Sequence, residues 1–289
     1  MPGPAAFVDA HVHFWDQQVP GLSWAWLEPG FTHPRLGRLV ELAAPRYAVG
    51  EYHADTRGTP PTKVVHVQAA KSDDPAVETA WLQQLSDTEG WPDAIVGYCD
   101  YGSADVAGVI ERHLAQPAFR GVRDLPAGMR LEDPAVARGY ARLAAFDISI
   151  EVMTSYEHFG HALALAREHP GTTMVLGHAG LPVERDDHYY RLWLDGLRML
   201  ASAPNIVCKV SALGGADPHW TTASLRRWVL GCLQTFGPDR CMFASNWPVD
   251  SLFSSYDKLL DAYAEITREF SPSERDAFFR RTAERVYRI

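Results

Sequence analysis

The stretch FVDAHVHFWD, residues 7–16, carries two histidines two positions apart at the end of an apolar run. On a β-strand, residues i and i+2 share a face, so His11 and His13 can present both imidazoles to one metal ion or one substrate. Comparable groups recur along the chain. His178 follows MVLG, Arg123 closes FRGVR, Lys209 lies in IVCKVS and Glu151 in ISIEVM; Asn246 lies in FASNWPVD and Gln68 in HVQA. Ionisable groups inside apolar strands are costly unless paired or used, and this many in equivalent places predicts a site. The chemistry available is acyl transfer to water: imidazoles and a carboxylate to move a proton, and a guanidinium and an ammonium to hold a developing oxyanion. His66 reads as a structural residue buried lower in its strand, and His113, His161 and His169 read as solvated residues of helices or loops. Trp15, Trp24, Trp26 and Phe31 read as packing of a long loop, with Trp15 also able to line a substrate.

Eight β-rich runs must position these groups: FVDAHVH, KVVHVQA, AIVGYCD, FRGVRDL, DISIEVM, TTMVLGH, NIVCKVS and CMFASNW. Most are short, apolar and β-branched, as parallel strands covered on both sides are. Helical segments lie between them. Asp74-Pro75 and Asp133-Pro134 are start signals, Ser271-Pro272-Ser273-Glu274 is a capping box, and Phe159, Leu163 and Ala166 form one stripe. The alternation predicts an α/β fold, one (β/α)₈ barrel over residues 1–289, with its site at the C-terminal strand ends. A doubly wound sheet is the alternative, but no Gly-rich phosphate loop follows a strand. Residues 14–62 read as a long first βα loop able to act as a partial lid, and RDDHYYRLW as the start of a similar insertion after strand six.

Composition limits the partners. A formal net charge of −9 in 289 residues argues against broad attraction to nucleic acid or an anionic membrane. No window approaches the roughly 18 apolar residues that span a bilayer. The N-terminal residues lack the pattern of a secretory signal, and the four cysteines show no CxxC pairing. The expectation is a cytoplasmic protein without disulfides, a monomer or homodimer, acting on a small molecule.

VDAHVHFWD, HVQAAKSDDPAVETAWL, IVGYCDY, FRGVRDL, LGHAGLP, NIVCKVSAL and MFASNWPVD follow in that order. In this the chain resembles the amidohydrolase-related lactonases, among them the rhamnono- and fucono-lactonase types and 2-pyrone-4,6-dicarboxylate lactonase. The resemblance implies a (β/α)₈ barrel, catalytic roles for His11, His13 and His178, and variable use of one divalent ion, most often zinc. Arg123 stands where binuclear relatives have a bridging lysine or glutamate, and arginine cannot ligate a metal. Asn246 stands where the family's strand-eight aspartate usually does, and an amide cannot take a proton near neutral pH. The reading is therefore a lactonase. Water attacks the ring carbonyl, Arg123 and Lys209 bind substrate oxygens with Gln68 and Trp15, His178 or Glu151 acts as base, and Asn246 orients the water. Any metal would rest on His11, His13 and Glu151. Two other classes remain: a metal-dependent decarboxylase of a small aromatic acid, and a non-catalytic binding barrel.

Overall fold

The apolar runs form eight strands, β1 (Val8–Val12), β2 (Lys63–Val67), β3 (Ala94–Tyr98), β4 (Phe119–Arg123), β5 (Ser149–Val152), β6 (Met174–Leu176), β7 (Ile206–Val210) and β8 (Cys241–Phe243). In the computed structural model, which describes residues 4, 6–33, 36–128 and 130–289, they pair in sequence order and in parallel. The sheet closes on itself: Val12 bridges Trp247, and the His13 N–H donates to the Trp247 carbonyl at 2.8 Å. All eight strands coincide with the runs expected from the sequence, and the fold is the expected (β/α)₈ barrel.

Strand alternation divides the core. Ile95, Val122, Ile150, Leu176, Cys208 and Phe243 belong to the apolar layer shared with the helices. Val8, Val65, Val96, Val175, Val207 and Met242 form a second cluster with Ala283, Val286 and Tyr287. The second cluster is the barrel interior, filled from one end by the C-terminal helical segment, so the barrel is a packed core and not a pore.

The longer helices are α1 (Val49–Thr56), α2 (Ala76–Glu89), α3 (Val106–Leu114), α4 (Pro134–Leu143), α5 (Phe159–Glu168), α6 (Asp187–Ala201), α7 (Thr222–Phe236) and α8 (Tyr256–Ile266), with shorter ones at Leu125–Gly128, Pro272–Asp276 and Thr282–Tyr287. Asp133 caps α4 through the Ala135 N–H at 2.8 Å, and Ser271 and Glu274 form the expected capping box. Two expectations fail. RDDHYYRLW opens no insertion: Asp186 accepts from the N–H groups of His188 and Tyr189 and starts α6. His113 is buried, not solvated. Its Nδ1 meets Thr79 Oγ1 at 2.8 Å and its Nε2 meets the Tyr98 carbonyl at 2.9 Å. A Cβ on Gly97 would come within 2.7 Å of the imidazole, so the glycine opens the space this helix-to-sheet contact needs.

The long first connection is built, not slack. Trp15–Asp16 pairs with Arg46–Tyr47, Thr32–His33 pairs with Gly37–Arg38, and α1 returns the chain to β2. The four cysteines are buried free thiols. Among the described residues no helix is long and apolar enough to cross a membrane.

Candidate active site

The site begins with a carboxylate the sequence reading passed over. Asp9, fully buried in β1, accepts from the Ser245 N–H at 2.9 Å and from the Ser245, Tyr52 and Tyr256 hydroxyls at 2.5, 2.7 and 2.9 Å. These bonds tie β1 to the end of β8, to α1 and to α8. Burial raises the pKa of Asp9, and the four donors oppose that shift. The C-terminal end of β1, with its histidines, is thereby pinned to the loop that carries Asn246.

His13 donates its Nδ1–H to the Val67 carbonyl at 2.8 Å, which leaves the lone pair on Nε2. His11 Nε2 lies 3.2 Å from that atom and donates to it. Burial, reinforced by neighbouring cations and imidazoles, lowers the pKa of both rings far below the usual range, so both are neutral at neutral pH. His178 stacks at a tilt on His11, with ring centroids 4.6 Å apart, and shares a 2.8 Å hydrogen bond between Nδ1 and Ser211 Oγ.

Arg123 reaches the same place from β4. One terminal nitrogen donates to the Gln68 carbonyl and the other lies 3.4 Å from His11 Nε2, while the buried Nε has no partner among the described residues. The carbonyl it uses is itself held in place: Glu78 on α2 accepts from the Ala69 and Ala70 N–H groups at 2.9 and 2.7 Å. Burial pushes Glu78 up to about 7. His66 is buried beside Phe14, and burial lowers it to about 3, consistent with the structural reading.

Lys209 was expected to bind substrate, and Glu151 to act as a base or as a metal ligand. Instead they satisfy each other. Lys209 Nζ donates to Glu151 Oε1 at 2.7 Å, Tyr287 donates to the same oxygen at 2.6 Å, and the ammonium sits 5.3 Å from the centroid of the Tyr287 ring. Neither lines the cavity described below. The sequence places both correctly on inward-facing positions. It cannot show that the C-terminal segment brings a tyrosine up the barrel to consume the carboxylate.

At the ends of β6, β7 and β8 the chain turns through left-handed backbone at His178 (φ 50°), Ala212 (φ 56°) and Asn246 (φ 59°). Asparagine and histidine tolerate this region better than most residues. The turn at Asn246 directs its amide to Asp250, whose Oδ2 accepts from Nδ2 at 2.5 Å. Asp250 is 1% exposed, its Oδ1 has no close hydrogen-bond partner among the described residues, and burial pushes its pKa up to about 7 against the bonds from Asn246 and the Gly214 backbone.

Of these groups His13, Arg123, His178, Asn246 and Asp250 border a cavity of about 680 Å³, and His11 lies behind it. Trp26, Phe31 and Leu36 from the first connection form one apolar wall, and Leu181, Val249 and Phe253 another; His13, His33, Gln68, Lys71, Arg123, His178, Asn246 and Asp250 are the polar points. Trp15 is not on the wall. It stacks on Tyr47 at 5.1 Å, donates to the Ala44 carbonyl at 2.8 Å and meets Trp26 edge-on at 5.3 Å, so it backs the tryptophan that does line the cavity.

The Amidohydro_2 profile of the amidohydrolase family matches residues 8–289, the whole barrel. The chain belongs to the amidohydrolase family. Within it, an uncharacterized protein, y4mH, of Sinorhizobium fredii is 35% identical over 98% of this chain and 99% of its own. The L-fucono-1,5-lactonase of Burkholderia multivorans is 32% identical over 98% of this chain and 96% of its own. A solved amidohydrolase from Burkholderia multivorans with bound zinc superposes with a TM-score of 0.81 at 28% identity, covering 99% of this chain and all of that one.

Does this family member have a zinc site of its own? The 3.2 Å between the two Nε2 atoms is close to the roughly 3.3 Å span of two tetrahedral ligands on one zinc ion. A catalytic zinc normally takes three protein ligands, and among the described residues no third His, Cys, Asp or Glu joins the pair. The expected third ligand, Glu151, is held by Lys209 and Tyr287, and the Arg123 guanidinium sets a fixed positive charge 3.4 Å from His11 Nε2. The donor set does not complete a zinc site, and no step below passes through a metal.

Proposed function

We propose that this chain is a lactonase, opening the 1,5-lactone of a deoxy sugar acid by attack of water on the ring carbonyl. The observation that carries the reading is Arg123: a buried guanidinium on the cavity whose Nε–H has no acceptor among the described residues. An unpaired buried donor is costly to keep, and an oxygen that becomes anionic during acyl transfer is the partner it suits best. The neutral imidazoles of His11 and His13 lie beside that guanidinium without adding a competing charge. His178 and Asn246 line the same cavity and can orient water toward the carbonyl.

The wall supports the substrate class. Trp26, Phe31 and Leu36 suit the C–H face and methyl group of a deoxyhexonolactone, while Gln68 and Lys71 offer hydrogen bonds to its hydroxyls. The similarity to L-fucono-1,5-lactonase points the same way. Trp26→Ala is expected to raise KM about tenfold while kcat changes little, since the lost contact serves ground state and transition state alike. A kcat loss with unchanged KM would remove Trp26 from the binding wall.

The test is a proton-release assay over aldono-1,5- and 1,4-lactones, with an aromatic carboxylic acid monitored for loss of carbon dioxide. The expected result is opening of the 6-deoxyhexono-1,5-lactones well above the spontaneous rate. Turnover of the aromatic acid alone, or of nothing, would overturn the reading.

A further inference from the structure

In the lactonase reading the attacking water needs a base, and His178, whose Nδ1 is shared with Ser211, is the one sequence candidate left on the cavity. His11 and His13 are engaged with each other and with Val67, Glu151 is consumed by Lys209 and Tyr287, and Asn246 cannot take a proton. We propose that Asp250 is the general base of this site, its carboxyl displaced four residues along the chain from the strand-eight position that Asn246 occupies.

The geometry is specific. The short turn Val249–Leu252 begins directly after the strand-eight loop, and the Asp250 N–H donates to the Asn246 carbonyl at 3.2 Å, closing one turn between the two residues. Across that turn the Asn246 amide holds Oδ2 at 2.5 Å and the Gly214 backbone N–H faces the carboxyl, which orients it and leaves Oδ1, a buried oxygen, without a close hydrogen-bond partner among the described residues. Both residues line the cavity that Arg123 enters from β4. An aspartate at position 246 would meet a second carboxylate at this distance. The amide instead donates to it, which makes Asn246 a positioning residue for a base elsewhere.

Asp9 on β1 opposes ionisation of Asp250, and Tyr263 on α8 also faces it. Burial is the larger influence and brings the carboxyl to about 7, where a base is half ionised near neutral pH and still strong enough to take a proton from attacking water. In the step itself, the water oxygen forms a bond to the lactone carbonyl carbon, its proton passes to Asp250 Oδ1, and the carbonyl electron pair moves to the oxygen facing Arg123. Collapse then breaks the bond from that carbon to the ring oxygen, which leaves as a hydroxyl with the proton from Asp250. One water is consumed and one hydroxy acid is formed.

The proposal rests on the lactonase reading, and its test separates the two. Wild-type protein, Asp250→Asn and the exchange Asn246→Asp/Asp250→Asn are compared on the best lactone from pH 5.5 to 9. Expected are an acid limb near pH 7 in wild-type kcat/KM, a fall of about 100-fold in kcat with loss of that limb in Asp250→Asn, and recovery of at least tenfold in the exchange. A purely structural Asp250 predicts no rescue. Because the folded carboxyl titrates above its unfolded value, its contribution to stability is present below about pH 4 and lost as pH rises toward 7. Asp250→Asn is therefore expected to melt higher than wild type at pH 8, which shows that the activity loss is not unfolding. A wild-type profile with no limb between pH 6 and 8 overturns the proposal, as does an Asp250→Asn variant within threefold of wild type. Wild-type protein inert on every lactone overturns the proposal and the lactonase reading together.

Discussion

Arg123→Gln is expected to lower kcat/KM for lactone opening by about 1000-fold, or roughly 4 kcal/mol of transition-state stabilisation. Three of the guanidinium's features contribute. Its charge is permanent, one terminal nitrogen is fixed by the Gln68 carbonyl, and the buried Nε–H has no acceptor among the described residues. Glutamine keeps some of the length but neither the charge nor the rigid fork. Arg123→Lys keeps the charge alone and is expected to fall between, at about 100-fold below wild type. The Gln68 carbonyl loses its partner in either variant at a cost of about 1–3 kcal/mol, so circular dichroism and a thermal melt accompany the kinetics. Activity of Arg123→Gln within threefold of wild type would remove the guanidinium from the oxyanion's surroundings.

Lys209→Met is expected to destabilise the fold by about 3–5 kcal/mol in urea unfolding. The ammonium is wholly buried, and Glu151 is only 1% exposed. Removing Lys209 leaves a carboxylate in the barrel interior with one phenol as its partner, and Oε2 is already unpaired. Removing both charges together costs less than removing one. Lys209→Met/Glu151→Leu is accordingly expected to be more stable than Lys209→Met, because buried ion pairs barely repay their desolvation. A double variant less stable than the single one would mean that the pair is favourable beyond its own neutralisation. These two groups bind each other and Tyr287 away from the cavity lining, so Glu151→Gln is expected to affect stability before it affects KM.

The barrel was legible because its strands are short β-branched runs at regular spacing, and alternation within each run places inward residues without further information. The polar groups at the C-terminal strand ends were legible for the same reason. His13, Gln68, Arg123, His178 and Asn246 do line one cavity. What periodicity cannot convey is which buried charges neutralise each other. Lys209 and Glu151 lie 58 positions apart and Tyr287 arrives from the C-terminus, so only the closed barrel shows that they form a self-contained cluster. His113 was misjudged because a helix carries polar residues on both faces, and only Gly97 on the facing strand reveals that this one points inward. Asp250 had a signal in SNWPVD, four residues after an asparagine standing in an acid's usual place. Its use depends on a left-handed turn at Asn246 that no spacing rule predicts.

The proposed function requires this cavity to open a lactone with Arg123 facing the reacting oxygen. The most direct measurement is the initial rate of L-fucono-1,5-lactone opening, followed by proton release and by NMR, with wild type and Arg123→Gln prepared identically and run side by side with and without a chelator. Rapid opening by wild type, unchanged by the chelator, and a rate about 1000-fold lower for Arg123→Gln are expected. Equal rates for the two proteins, or a wild-type rate no faster than buffer, would contradict the proposed function.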